Sequence, residues 1–162
     1  MGSLYRSQHE FVFVYKNGTA PHINNVNLGV HGRNRSNVWP YGGINSFGKH
    51  RDELLVMHPT VKPVALVADV IKDASARGDL VLDAFGGSGS TLLAAERTKR
   101  RAALIEIDPL YVDRAIRRWQ AFTGKEVVCA RSGATFAERE AAMNAGPANA
   151  AGTTTTKDGA RP

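Results

Sequence analysis

Apolar residues follow two rhythms along this chain, and the switches between them predict its elements. Phe11-Val-Phe-Val-Tyr15 is an unbroken apolar run, entered through His9-Glu10 and left through the turn signal Lys16-Asn-Gly18; it predicts a strand. Over residues 61–76 the apolar positions Val64, Val67, Val70, Ile71 and Ala74 share one helical face. Short apolar runs predict strands over 80–84, 102–107 and 126–129, and the intervening text predicts helices over 90–99 and 110–122. Strands alternating with helices imply an α/β fold with a mostly parallel sheet and right-handed crossovers.

Candidate chemistry concentrates in LVLDAFGGSGSTLLAAERTKRRAALIEIDP, residues 80–109. The first strand ends in Asp83, and Gly86, Gly87 and Gly89 supply a tight turn where backbone can approach a ligand with no Cβ in the way. The helix opening at Ser90 and Thr91 would aim free N–H groups at something negative or carbonyl-like. Glu106 follows Asp83 by 23 residues, at the end of the second strand, where an acid can accept hydrogen bonds from both ribose hydroxyls. The turn Gly87-Ser88-Gly89-Ser90-Thr91-Leu92 lacks the third glycine of GxGxxG and the lysine of a GxxxxGK[ST] loop. A carboxylate at Asp83 would repel a pyrophosphate but suits a cation such as the ammonium of a methionine moiety. S-adenosylmethionine is therefore the expected cofactor.

Upstream lies His58-Pro59-Thr60-Val61-Lys62-Pro63. The order HPTVKP, helix, LDAFGGSGST, helix, IEIDPLYVDRAIRRW closely resembles the amino-methylating DNA methyltransferases of the adenine-N6 and cytosine-N4 type, in particular the permuted group whose cofactor motif follows the catalytic one. SLYRSQHEFVFVYKNG and RNRSNVWPYGG resemble segments of that group which precede HPTxKP, so the likeness covers residues 3–123. It implies a partial Rossmann-like, S-adenosylmethionine-dependent methyltransferase fold. By this resemblance Asp83 holds the methionine ammonium, and Phe85 packs beside the cofactor. Gly87, Ser88, Gly89 and Ser90 form the turn, Glu106 binds the ribose hydroxyls, Asp108 lies near the adenine, and Thr60 and Lys62 approach the methionine carboxylate. Asp108 followed by Pro109 also reads as a simple helix start. Trp39 matches a segment near the target base and could line a pocket for a flipped base, or be a core tryptophan.

The exocyclic amine of a base is a poor nucleophile, because its lone pair is delocalised into the ring. Attack on a sulfonium methyl needs acceptors on the amine hydrogens and an in-line geometry. The family provides these with an Asp/Asn/Ser-Pro-Pro-Tyr/Phe segment, whereas none of the seven prolines here adjoins another. The expectation is a C-terminal part of an adenine-specific DNA methyltransferase, with the catalytic motif before Met1 and no activity of its own. A cytosine-N4 enzyme, or an inactive remnant with weak DNA binding, is the alternative. Strands left unpaired would admit association with a chain supplying the missing half.

Composition adds bounds. The formal net charge is +6. The six charges after residue 132 cancel, so the excess falls on residues 1–132 and suits double-stranded DNA. Residues 19–57 are polar, rich in Asn and Gly, and carry Arg33, Arg35, Lys49 and Arg51; with Trp39 these are the expected nucleic-acid contacts. Arg114, Arg117 and Arg118 read instead as a solvated helix edge. The expected organisation is a methylase portion over 1–132, divided into a strand and basic loop (1–57) and a cofactor part (58–132). Residues 133–162, dominated by Ala, Gly, Asn and Thr, read as a disordered tail that admits a short helix over 137–143. Cys129, in the apolar run 127–130, is expected as a buried strand thiol. Histidine spacing suggests no metal, and no apolar run reaches membrane-spanning length, so a cytoplasmic protein is expected.

Overall fold

The computed structural model describes residues 4–5, 9–32, 34–42 and 61–145. They divide into two units, Met1–Ala115 and Ile116–Pro162.

The first unit is built on a strand–helix–strand repeat. Strand β1, Leu80–Asp83, runs parallel to β2, Arg101–Leu104, in the register Leu80↔Arg101 to Asp83↔Leu104. Helix α1, Val64–Ala74, precedes β1, and α2, Ser90–Thr98, crosses from β1 to β2. The core is made of small residues. Ala68 and Ile71 of α1 are buried against Ala94 and Ala95 of α2, with Val64, Val67, Val81 and Ala102 packed around them. Alanines at the crossing let the two helix backbones approach closely, so α1 and α2 cover one face of the sheet together. On the other face Leu80, Leu82 and Ile105 each leave more than half of their surface exposed.

The helices end where the sequence forces them to. Pro63, extended at ψ 126°, starts α1 later than the expected residue 61, since the residue before a proline avoids helical geometry. At its other end Asn25 donates its backbone N–H to Asp73 O (2.9 Å) and its side-chain amide to Lys72 O and Ser75 O (2.8 Å each). Arg100 donates to Ser75 Oγ (3.0 Å), Ser75 O (2.6 Å) and Thr98 O (2.6 Å), so one guanidinium satisfies carbonyls at the ends of both helices.

The predicted strand at Phe11–Tyr15 is not one. The segment is extended, but it pairs with no strand among the described residues, and its five side chains are exposed. Phe11, Phe13 and Tyr15 stack along their own ladder at ring-centroid spacings of 6.2 and 6.4 Å, and His9 meets the Phe11 ring edge-on at 5.1 Å. An apolar run becomes a strand only where another backbone takes its N–H and C=O groups.

The second unit holds the later part of α3, Pro109–Thr123, and helix α4, Phe136–Asn144. The fourth strand expected over 126–129 reduces to one antiparallel bridge, Val128↔Thr135. The chain reverses locally through Gly133 (φ 71°), with Cys129 N–H donating to Ala134 O at 2.8 Å, so it pairs with its own continuation rather than with the sheet. The short helix that the tail admits over 137–143 is α4, one residue longer at each end and started by a reciprocal capping box between Thr135 and Glu138. Residues 146–162 of that tail lie outside the described residues. Cys129 is partly exposed rather than buried. Its thiol is lowered to about 6, first by hydrogen bonding to the Ser132 side chain, then by the Ser132 and Arg131 backbone and by Arg139.

Among the described residues no helix is long and apolar enough to cross a membrane, and no three His, Cys, Asp or Glu residues are placed to hold a metal ion.

Candidate cofactor site

Both acids singled out in the sequence stand at the carboxyl ends of neighbouring parallel strands. Beyond the ladder, Ile105 N–H donates to Asp83 O and Gly86 N–H to Ile105 O, each at 2.9 Å, which ties the turn after β1 to the residue preceding Glu106. Asp83 accepts from Phe85 N–H (3.0 Å) and from Thr91 Oγ1 (2.6 Å), linking the strand end to the first turn of α2. Glu106 accepts from Gly87 N–H (2.7 Å) on one oxygen and from Asp108 N–H (2.9 Å) on the other. Both carboxylates are half-buried, and a carboxylate offers about four lone-pair sites, so accepting from the protein does not by itself exclude a ligand.

The glycines are required by space as much as by torsion. A Cβ on Gly86 would lie 3.0 Å from Leu104 Cδ2. Gly89 is left-handed (φ 80°), and a Cβ there would lie 2.8 Å from Ala115 Cβ. The turn is thus pressed onto β2 on one side and onto Ala115, midway along the helix Pro109–Thr123, on the other. Gly89 caps α2 without a side-chain hydrogen bond, so the N–H groups of the first turn face the same strand ends. Ser88 and Ser90 are buried, and Ser90 Oγ donates to Lys62 O at 2.9 Å, fastening the segment before α1 to the start of α2. The Lys62 ammonium pairs with Glu10. Phe85, 90% exposed, and Ile107, 97% exposed, flank the two acids with open apolar surface. Asp108 starts α3, accepting from Leu110 N–H at 2.9 Å on its side chain.

A family model for DNA methylases of the N6/N4 type matches residues 3–117. The chain belongs to that DNA methylase family. Among curated relatives the chain is 36% identical over 89 residues to the Type II methyltransferase M.HpaI of Haemophilus parainfluenzae, a stretch covering 55% of the chain and 27% of that protein. It is 28% identical over 120 residues to the Type II methyltransferase M2.MboI of Moraxella bovis, covering 72% of the chain and 42% of that protein. The chain therefore spans less than half the length of these relatives. Among solved structures it is similar to the crystal structure of an M1.HpyAVI–SAM complex, at 39% identity and a TM-score of 0.38, covering 38% of this chain and 30% of that one.

The structure brings together Lys62, Asp83, Phe85, Gly87, Ser88, Gly89, Ser90, Glu106 and Asp108 around one turn and two strand ends. Thr60, Arg33, Lys49 and Arg51 lie outside the described residues. Sequence reasoning places Gly86 in the turn and Thr91 at the helix opening without assigning either a contact of its own, and it does not single out Ile107. The signal for Ile107 is its place directly after Glu106. Arg35 and Trp39 sit elsewhere. Arg35 stacks over the Trp39 ring at 4.3 Å and pairs with Asp73 (2.8 Å) and Asp69 (3.8 Å) on α1. Tyr41 donates to Asp69, and these residues line a hollow of about 650 Å³. The Asp69 carboxyl is held below its ordinary range, first by Lys72 and then by Tyr41, while the Tyr41 hydroxyl is raised, chiefly by that same bond to Asp69. This hollow lies along the later turns of α1, whereas Lys62 precedes the first.

Proposed function

We propose that this chain forms the S-adenosylmethionine-binding part of a DNA methyltransferase that methylates the exocyclic amine of adenine. The single observation carrying this is the placement of Asp83 and Glu106 at adjacent carboxyl ends of β1 and β2, with the Gly86–Gly89 turn between them. Ligands of open parallel α/β sheets bind at that end, where no crossover covers the strands. S-adenosylmethionine would supply an electrophilic methyl group on a sulfonium centre. Asp83 would hold the donor's ammonium, its carboxylate already oriented by Thr91 and Phe85 N–H. Glu106 would accept from the ribose hydroxyls, fixed by Gly87 and Asp108 N–H groups. Phe85 and Ile107 offer apolar faces for the adenine ring, and Lys62, with Thr60, would meet the donor's carboxylate once Glu10 yields. Gly86 and Gly89 keep the turn low enough for the donor to approach the backbone.

The order of HPTVKP before the glycine turn favours the permuted group, and the likeness to that group favours adenine over cytosine. The whole transfer also needs the amine-activating Pro-Pro-aromatic segment, which this chain does not contain. The chain alone is therefore proposed to bind the donor without transferring its methyl, and a chain carrying that segment could restore activity. Titration calorimetry of S-adenosylmethionine into the protein tests the reading. Binding is expected, and Asp83→Ala should abolish it; an absence of binding, or equal binding by Asp83→Ala, overturns it.

A further inference from the structure

A second charged site lies at the opposite end of the sheet. Where α1 and α2 end and β2 begins, a hollow of about 360 Å³ is lined by Lys72, Arg77, Arg97, Lys99 and Arg100, with Asp69 as the one carboxylate among the described residues that line it. The four residues of β1 separate it from the glycine turn by about 13 Å. Favourable interaction with helix dipoles accounts for cations in last turns, as at Lys72 and Arg97. It does not account for Arg77 or Arg100, which lie outside the helices. Three of the five are committed locally, since Lys72 pairs with Asp69 at 2.6 Å, Arg100 serves the Ser75 and Thr98 carbonyls, and Arg97 is engaged as well. Arg77 and Lys99 are exposed and form no ion pair among the described residues. Lys99 is moreover held in the left-handed region (φ 60°), its backbone N–H bonded to Ala95 and Glu96 carbonyls, so its stem leaves the helix end in a set direction.

Like charges converge on one open concavity only at a cost in repulsion, which an anion bound there would relieve. We infer that this hollow is an anchoring site for the phosphodiester backbone of DNA, distal to the cofactor end and reading no base. Choosing DNA as the anion rests on the methyltransferase reading above; the site itself does not depend on donor binding. Backbone contacts of this kind position a protein on the duplex and make its affinity salt-dependent.

The test is fluorescence anisotropy of a labelled 30-base-pair duplex titrated with the full chain at several salt concentrations. Arg77→Gln combined with Lys99→Asn removes two charges, and asparagine tolerates the left-handed backbone at 99. Loss of two phosphate contacts should lower the slope of log affinity against log salt by roughly two and weaken binding on the order of tenfold. Lys16→Gln combined with Arg131→Gln removes the same charge elsewhere and should have a much smaller effect. Arg77→Glu, a single exposed loop change, gives the same direction if the double variant is misfolded by circular dichroism. Asp83→Ala should bind duplex normally, so that failure of donor binding and failure of this site are separable. Equal losses in the two charge-matched pairs, no duplex binding by the wild-type chain, or calorimetric binding of inorganic phosphate without binding of duplex would each overturn the proposal.

Discussion

Gly89→Ala isolates what the glycine turn contributes, because the structure supplies its own control. At Gly89 the backbone is left-handed (φ 80°) and a new Cβ would lie 2.8 Å from Ala115 Cβ and 3.1 Å from Ala115 Cα. Gly78 has nearly the same torsion (φ 86°), but nothing stands within 4 Å of the added atom. Gly78→Ala should therefore show torsional strain alone, about 1–2 kcal/mol. Gly89→Ala should show that strain plus the overpacking of α3 against the turn, a further 1–3 kcal/mol or so. The sum, about 2–5 kcal/mol, is a large share of a small domain's stability. Removing the obstructing methyl tests the cause directly. Ala115→Gly alone should cost about 1 kcal/mol of helix propensity, and in the double variant it should recover part of the Gly89→Ala loss. The assay is urea unfolding followed by far-ultraviolet circular dichroism, with all four proteins forming a double-mutant cycle. Equal losses at Gly78 and Gly89, or strict additivity of Gly89→Ala with Ala115→Gly, would refute the close approach of turn and helix.

Three further outcomes follow from the same structure. Arg100→Ala strips donors from the Ser75 and Thr98 carbonyls at the ends of α1 and α2 and should destabilise the first unit by about 2–3 kcal/mol in the same assay; Arg100→Lys should not restore it, since one ammonium cannot reproduce the fork. Cys129, with its thiol lowered to about 6, should be alkylated by iodoacetamide with a half-maximal rate near that pH, and Ser132→Ala should move the midpoint upward. The sign for stability follows: folding favours the thiolate, so the contribution is complete above the ordinary thiol value of 9.0 and is lost as pH falls through about 6. Thr135→Ala removes half of the capping box and should cost α4 about 1 kcal/mol, read as lost helical ellipticity.

Chain order alone determined the strand, turn, helix and strand of residues 80–104, and with them the cofactor end, because that information is local. Alternating apolar runs specify each element, glycine specifies the turn, and a parallel pair joined by one helix must present both its strand ends on the same side. Thus Asp83 and Glu106 could be paired before any coordinate was known. What depends on contacts between distant segments could not be read this way. Phe11–Tyr15 has the composition of a strand and no strand partner among the described residues; 126–129 pairs with its own continuation. Arg35 looked like an open basic residue until Asp69, Asp73 and Trp39 folded around it, and the cations from 72 to 100 became one site only when two helix ends and a strand start converged. Backbone pairing and charge neutralisation are properties of the neighbour as much as of the residue, and the neighbour is chosen by the tertiary fold.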